Sequence, residues 1–131
     1  MTVSELKSRF NSIDRIKKGG QKIVYKAVCD DGETVALKII NNATDPRVLQ
    51  EISLVKNLSM SCVPRIIESG IVIDETVSED VLYIIEQYID GMSLRDWINR
   101  KNKANLEFAY TLLEALLSAE MELEKKNILH R

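Results

Sequence analysis

The sequence predicts an α+β fold. Residues 23–40 and 66–88 are rich in Ile, Val, Tyr and Thr, the composition of strands. A single stretch with helical periodicity, 45–58, interrupts them. From Ser93 onward every periodic pattern is helical. Strands around one inserted helix, followed by helices alone, place sheet and helix in separate layers or lobes.

The elements follow in order. A first turn near Ser4–Arg9 precedes two strands, Ile23–Cys29 and Thr34–Ile40, joined at the turn signal Asp30-Asp31-Gly32. Asp45 can cap the middle helix, and Pro46 suits its first position, where no amide donor is needed. Val48, Ile52, Val55 and Leu58 then form an apolar stripe. Strands at 66–73 and 81–88 flank an acidic loop, Asp74 to Asp80. Ser93, with Asp96 three residues on, caps a helix from Leu94 to Arg100. Asn105 caps another from Leu106 to Lys126, ending near Asn127. Its apolar residues (Phe108, Leu112, Leu113, Leu116, Leu117, Met121 and Leu123 among them) cover more than a narrow stripe.

Composition narrows the function classes. Among 131 residues, 18 Lys and Arg against 20 Asp and Glu give a net charge of −2, with 45% hydrophobic and 29% charged residues. These values exclude a collagen, a polar disordered tail and a nucleic-acid binder that relies on bulk positive charge. No apolar run approaches a membrane span, and Met1–Lys7 lacks a signal-peptide core. Cys29 and Cys62 lack metal-site spacing and read as buried or idle thiols of a reducing compartment. The expected setting is the cytoplasm, with neither nucleic acid nor membrane as partner.

Hairpin length decides which residues share a face. A two-residue loop, Asp31-Gly32, would pair Val24 with Ile39 and put Val24 and Lys38 on opposite faces. A three-residue loop with a left-handed Gly32 pairs Cys29 with Glu33, Val24 with Lys38 and Lys26 with Ala36. Val24, Ala36 and Lys38 then share one face, apolar at one end and cationic at the other. Such a face suits a flat ring with a phosphate tail. Lys38 otherwise reads as the solvent face of an edge strand. Glu51 lies on or beside the helix stripe. It either reaches solvent or is half-buried, in which case it needs a cationic partner such as Lys38. Before the hairpin, Lys17-Lys18-Gly19-Gly20-Gln21-Lys22 is either a plain turn or a segment whose amides and lysines approach phosphate.

Taken in order, these residues resemble the small lobe of a protein kinase, in the style of bacterial serine/threonine kinases or kinase-like proteins. The resemblance is carried by Gly19-Gly20-Gln21-Lys22-Ile23-Val24-Tyr25-Lys26-Ala27, by Val35-Ala36-Leu37-Lys38, and by Glu51 in its helix. The run Val81 to Leu94 is similar to the fifth strand, hinge and next helix of that family, and Ile128-Leu129-His130-Arg131 to the start of its catalytic loop.

The resemblance implies a five-stranded antiparallel sheet plus one helix (46–58) in residues 1–90, then two large-lobe helices in 91–131. It implies ATP as cofactor. Lys38 would pair with Glu51 and touch the α and β phosphates. Val24 and Ala36 would sandwich adenine, and backbone groups of Gln87 and Ile89 would bond its edge. The family's three spaced loop glycines fall here on Lys17, Gly19 and Lys22. Gly20 would return some freedom, with Gln21 beside it, and Lys22 would substitute charge for close approach. The position at the back of the adenine pocket falls on Glu86, or on Ile85 if the register slips by one. The catalytic base and the Mg ligands would come after Arg131, the last residue here, so this chain alone is expected to be inactive. A protein substrate is expected for the full-length parent, and self-association through 106–126 for this chain. A reading of another class is a non-catalytic pseudokinase, a module that binds nucleotide or protein.

Overall fold

The hairpin register is the three-residue one. In the computed structural model, Cys29 N–H donates to Glu33 O at 2.8 Å, Gly32 N–H to Cys29 O at 2.9 Å, and Gly32 has φ +86°. That φ favours glycine. The Asp31 carboxylate accepts from Glu33 N–H at 2.9 Å and closes the turn. The turn joins β2 (Lys22–Val28) to β3 (Thr34–Ile40), with Val24 opposite Lys38 and Lys26 opposite Ala36.

The structure describes residues 1–41, 46–57, 60–100 and 102–128. In the middle helix it leaves aside the side chains of 47, 48, 51, 54, 55 and 57. The element order is α1 (Val3–Lys7), β1 (Ser12–Lys18), β2, β3, α2 (Pro46–Asn57), β4 (Ile66–Asp74), β5 (Glu79–Gln87), α3 (Leu94–Asn99) and α4 (Leu106–Lys125). The five strands form one antiparallel sheet in the order β1-β2-β3-β5-β4. The expected helix cap, Asp45, and the last residue of the expected stripe, Leu58, lie outside the described residues.

One strand was not placed by the sequence pattern. β1 reads Ser-Ile-Asp-Arg-Ile-Lys-Lys, four of its seven residues charged, and all but Ile13 are exposed. It is an edge strand, and charge on an edge discourages pairing with other chains while hiding the strand's alternation. A bulge at Ile16 blurs that alternation further.

The chain divides into two units. One comprises Met1–Ser59 and Pro64–Ile89, the other Met60–Val63 and Asp90–Arg131. The expected boundary at 90/91 therefore moves by one residue, and a short segment after α2 belongs with the later helices.

The first unit's main core lies on one face of its sheet. Ala27, Val35, Leu37, Ile39, Val72, Val81, Tyr83 and Ile85 are buried there with Leu6 of α1. A capping box holds α1: Glu5 N–H donates to Thr2 Oγ1 at 3.2 Å, and Thr2 N–H to Glu5 Oε2 at 2.8 Å. Residue Gly70 lies opposite Tyr83; a Cβ there would sit 2.8 Å from Tyr83 Cε1, so glycine makes room for the ring. On the other face Leu82 and Ile84 meet Ile40, Ile66 and Ile52 of α2, so Ile52 of the expected stripe packs on the sheet.

In the second unit Ser93 Oγ accepts from Asp96 N–H at 3.1 Å and donates to Asp96 Oδ2 at 2.7 Å. Asn105 Oδ1 caps α4 through Phe108 N–H at 2.8 Å. The Trp97 and Phe108 rings stack at 4.3 Å between centroids. Helix α4 ends in a left-handed Asn127 (φ 54°). Asn127 N–H donates to Glu124 O and Ile128 N–H to Leu123 O, both at 3.0 Å, which satisfies the last carbonyls. Ser61 Oγ donates to Glu122 Oε1 at 2.8 Å, tying the short segment to α4.

Candidate functional site

Strand pairing brings the sequence-predicted residues together on the face opposite α1. Lys22, Val24 and Lys26 of β2 face Ile40, Lys38 and Ala36 of β3. Lys38 and Ala36 in turn face Ile84 and Glu86 of β5. Directly opposed residues in an antiparallel pair share a face. The register therefore assembles Val24, Ala36, Lys38 and Glu86, and adds Lys17, which stands opposite Val24.

The same register puts Ile85 and Glu86 on opposite faces. Ile85 pairs with Leu37 and is buried in the α1-side core, on the wrong face to meet Lys38. Glu86 is opposite Ala36, and its Oε1 forms an ion pair with Lys38 Nζ. Both side chains are sheltered: Lys38 is 27% exposed and Glu86 12%. The partner expected for Lys38 was Glu51. Glu51 lies on α2, but its side chain is outside the described residues, so that pairing stays an expectation.

The glycine turn keeps its room without special backbone. Gly19 N–H donates to Lys22 O at 2.8 Å, and Gln21 O accepts from Asn41 N–H at 2.9 Å. Neither Gly19 nor Gly20 adopts a positive φ. A Cβ at Gly20 would meet nothing, and one at Gly19 only Lys22 O at 3.7 Å. Lys17 and Lys22 are exposed. Lys26 lies with Nζ 5.0 Å from the Tyr88 ring centroid. Gln87 ends β5, and its N–H is taken by Arg65 O at 2.9 Å. Ile89 follows the strand and is exposed. His130 and Arg131 lie outside the described residues.

The opposite face carries a polar network that sequence reasoning missed. Arg9 Nη1 and Nη2 donate to Glu68 Oε1 and Oε2, both at 2.8 Å, and Tyr83 O–H donates to Glu68 Oε1 at 2.7 Å. Hydrogen bonds from Arg9 and then Tyr83 hold the Glu68 carboxyl down at about 2. The same bond to Glu68 raises the Arg9 guanidinium further. Burial, then Glu68, pushes the Tyr83 phenol up. Burial foremost, with the nearby Asp31, Glu33 and Asp30 charges, also raises the Cys29 thiol, which suits an idle cysteine. Arg9 and Glu68 are 59 residues apart and share no motif. The one sequence signal was the Thr2-to-Glu5 capping box, which marks a real helix at the start of the chain.

Comparison with known proteins agrees with this geometry. Residues 10–131 match the protein kinase domain. The chain belongs to the protein kinase family. This kinase chain is 31% identical over 125 residues to a probable serine/threonine-protein kinase zyg-1 of Caenorhabditis briggsae, covering 95% of the chain and 17% of the relative. It is 29% identical over 133 residues to the probable serine/threonine-protein kinase CPE1738 of Clostridium perfringens, covering 96% and 18%. It thus spans less than a fifth of the length of these curated relatives. In fold it matches the crystal structure of Rad53 1-466 in complex with AMP-PNP. The TM-score is 0.72 at 22% identity, over 94% of this chain and 32% of that one. The architecture is a protein-kinase small lobe followed by two helices.

Proposed function

We propose that the Lys38 face binds ATP, and that the chain is the nucleotide-binding part of a protein serine/threonine kinase. The observation that carries this reading is the placement of Val24, Ala36 and Lys38 on one face. Val24 and Ala36 offer apolar contact to the ring. The Lys38 ammonium lies one pleat from Ala36, where the phosphate tail would run, and Lys17 and Lys22 add positive charge nearby. Backbone groups of Gln87 and Ile89 hold the ring edge by family resemblance. Family membership supports the reading, as does a fold neighbour crystallised with AMP-PNP.

ATP, when bound, supplies the transferable phosphoryl group. The residues of this chain bind and orient it. Phosphoryl transfer is positioning plus neutralisation of developing charge. The residues that would hold Mg lie by resemblance after Arg131. Among the described residues no cluster of three His, Cys, Asp or Glu could hold a metal ion, so no step is assigned to one. A polypeptide of these 131 residues alone is therefore expected to transfer no phosphate to protein substrates and to bind ATP more weakly than micromolar.

Calorimetric titration with Mg-ATP tests the face. Lys38→Met should weaken binding by about tenfold or more, since a hydrogen bond to a charged group contributes about 1.5–3 kcal/mol. Equal affinity in wild type and variant would remove Lys38 from the site.

The pseudokinase reading draws on the same residues. Lys22 where the family has a glycine, and Glu86 held against Lys38, both favour binding without transfer. Within the second unit we also propose self-association through α4. Leu106, Tyr110, Leu113, Leu116, Leu117 and Met121 are all exposed along it. Light scattering should show a mass above monomer that rises with concentration; a monomer mass throughout would end that idea. A cytoplasmic setting without membrane contact is proposed too. Among the described residues no helix is long and apolar enough to cross a membrane.

A further inference from the structure

We propose that Glu86 is a latch on Lys38: in the free chain it occupies the ammonium that a nucleotide's phosphates need, and binding must displace it. This inference rests on the nucleotide reading above and adds to it a regulation built into the sheet.

The geometry is specific. Lys38 and Glu86 sit on adjacent strands and on one face, offset by one pleat, because Ala36 is opposite Glu86 and Lys38 opposite Ile84. Diagonal neighbours of this kind are within reach of two long side chains. Their ion pair is more sheltered than the Arg9–Glu68 pair on the other face. Lys38 and Glu86 are 27% and 12% exposed, against 44% and 36% for Arg9 and Glu68.

A carboxylate that sheltered depends on its cation. A glutamate on a helix can leave with the helix. Glu86 is held by a strand paired on both sides, with β3 and with β4, and shifting it breaks two ladders. The other lysine beside Ala36, Lys26, lies over the Tyr88 ring. A phosphate arriving at Lys38 therefore meets a fixed, sheltered negative charge. To bind, it draws the ammonium away and leaves Glu86 without its cation, which costs affinity; that cost disappears when Glu86 is neutral. The cost applies to phosphate and not to the ring, because the carboxylate acts through Lys38.

The test is calorimetric titration of ADP and of adenosine into the 131-residue chain, Glu86→Gln, Lys38→Met and the double variant, each checked for fold by circular dichroism. Glutamine keeps the size of Glu86 and removes only its charge. The latch predicts that Glu86→Gln binds ADP about tenfold more tightly, a change of about 1.4 kcal/mol, with adenosine changed less than about twofold. In the Lys38→Met background the same substitution should change ADP affinity less than about twofold. Should Lys38→Met fail to fold, the contrast between ADP and adenosine in Glu86→Gln decides by itself. No gain for ADP, an equal gain for adenosine, or a gain that survives loss of Lys38 overturns the latch. If wild type binds ADP and Glu86→Gln binds it no better, the latch fails and the nucleotide site stands. If no variant binds either ligand, the nucleotide reading fails and takes the latch with it.

Discussion

The two faces of one sheet follow opposite policies. The α1 face is closed: Leu6 and Leu37 are fully buried in a continuous apolar core, and the polar groups at its margin are satisfied by one another in the Arg9–Glu68–Tyr83 network. The Lys38 face is apolar where Ile40, Ile66 and Ile52 of α2 meet Leu82 and Ile84, and at Val24 and Ala36. Elsewhere it carries lysines and a sheltered carboxylate. Both faces come from the same strands, since successive residues alternate sides. In β3, Val35, Leu37 and Ile39 build the core while Ala36 and Lys38 build the site. Stability is thus concentrated on one side of the sheet, and the other side is left to hold charges where a ligand can reach them.

Substitutions can break this contrast. The largest effect belongs to Leu37→Ala, which empties a fully buried position and should cost about 2–5 kcal/mol in urea unfolding. A loss below 1 kcal/mol, by the same measurement, would mean that the α1 face does not carry the core.

A smaller effect isolates the closed-face network. Glu68 is held at about 2 against an ordinary 4.5, so the unfolded chain takes up its proton first as pH falls. The stability contributed by Glu68 is whole above about pH 4.5 and is lost as pH drops towards 2. Because Glu68 and Arg9 are 36% and 44% exposed, screening leaves about 1 kcal/mol. Glu68→Gln should lower stability by that amount at pH 7 and converge on wild type near pH 2. It should leave ADP binding unchanged, which separates the two faces. A stability difference independent of pH would refute the assignment.

Much of this was readable from local chemistry. Asp30-Asp31-Gly32 marked the hairpin and narrowed it to two registers, and the Cys29 N–H to Glu33 O bond selects the three-residue loop. That register put Val24, Ala36 and Lys38 together. Caps at Ser93 and Asn105 set the starts of α3 and α4, and Asn127 set the latter's end. What escaped was non-local or masked by charge. β1 reads as polar because it is an edge. Arg9 meets Glu68 only through the fold. The pairing of Lys38 with Glu86 depends on β5 lying beside β3, a neighbour relation that no local pattern encodes.

The central claim is that the Lys38 face, not the α1 face, receives nucleotide. Backbone and side-chain NMR of the labelled chain titrated with Mg-ATP tests it residue by residue. The account predicts shifts at Lys22, Val24, Ala36, Lys38, Glu86 and Gln87, with Leu6, Val72 and Tyr83 unmoved. Shifts concentrated at Leu6, Arg9 and Tyr83, or none at any of these residues at saturating nucleotide, would contradict it.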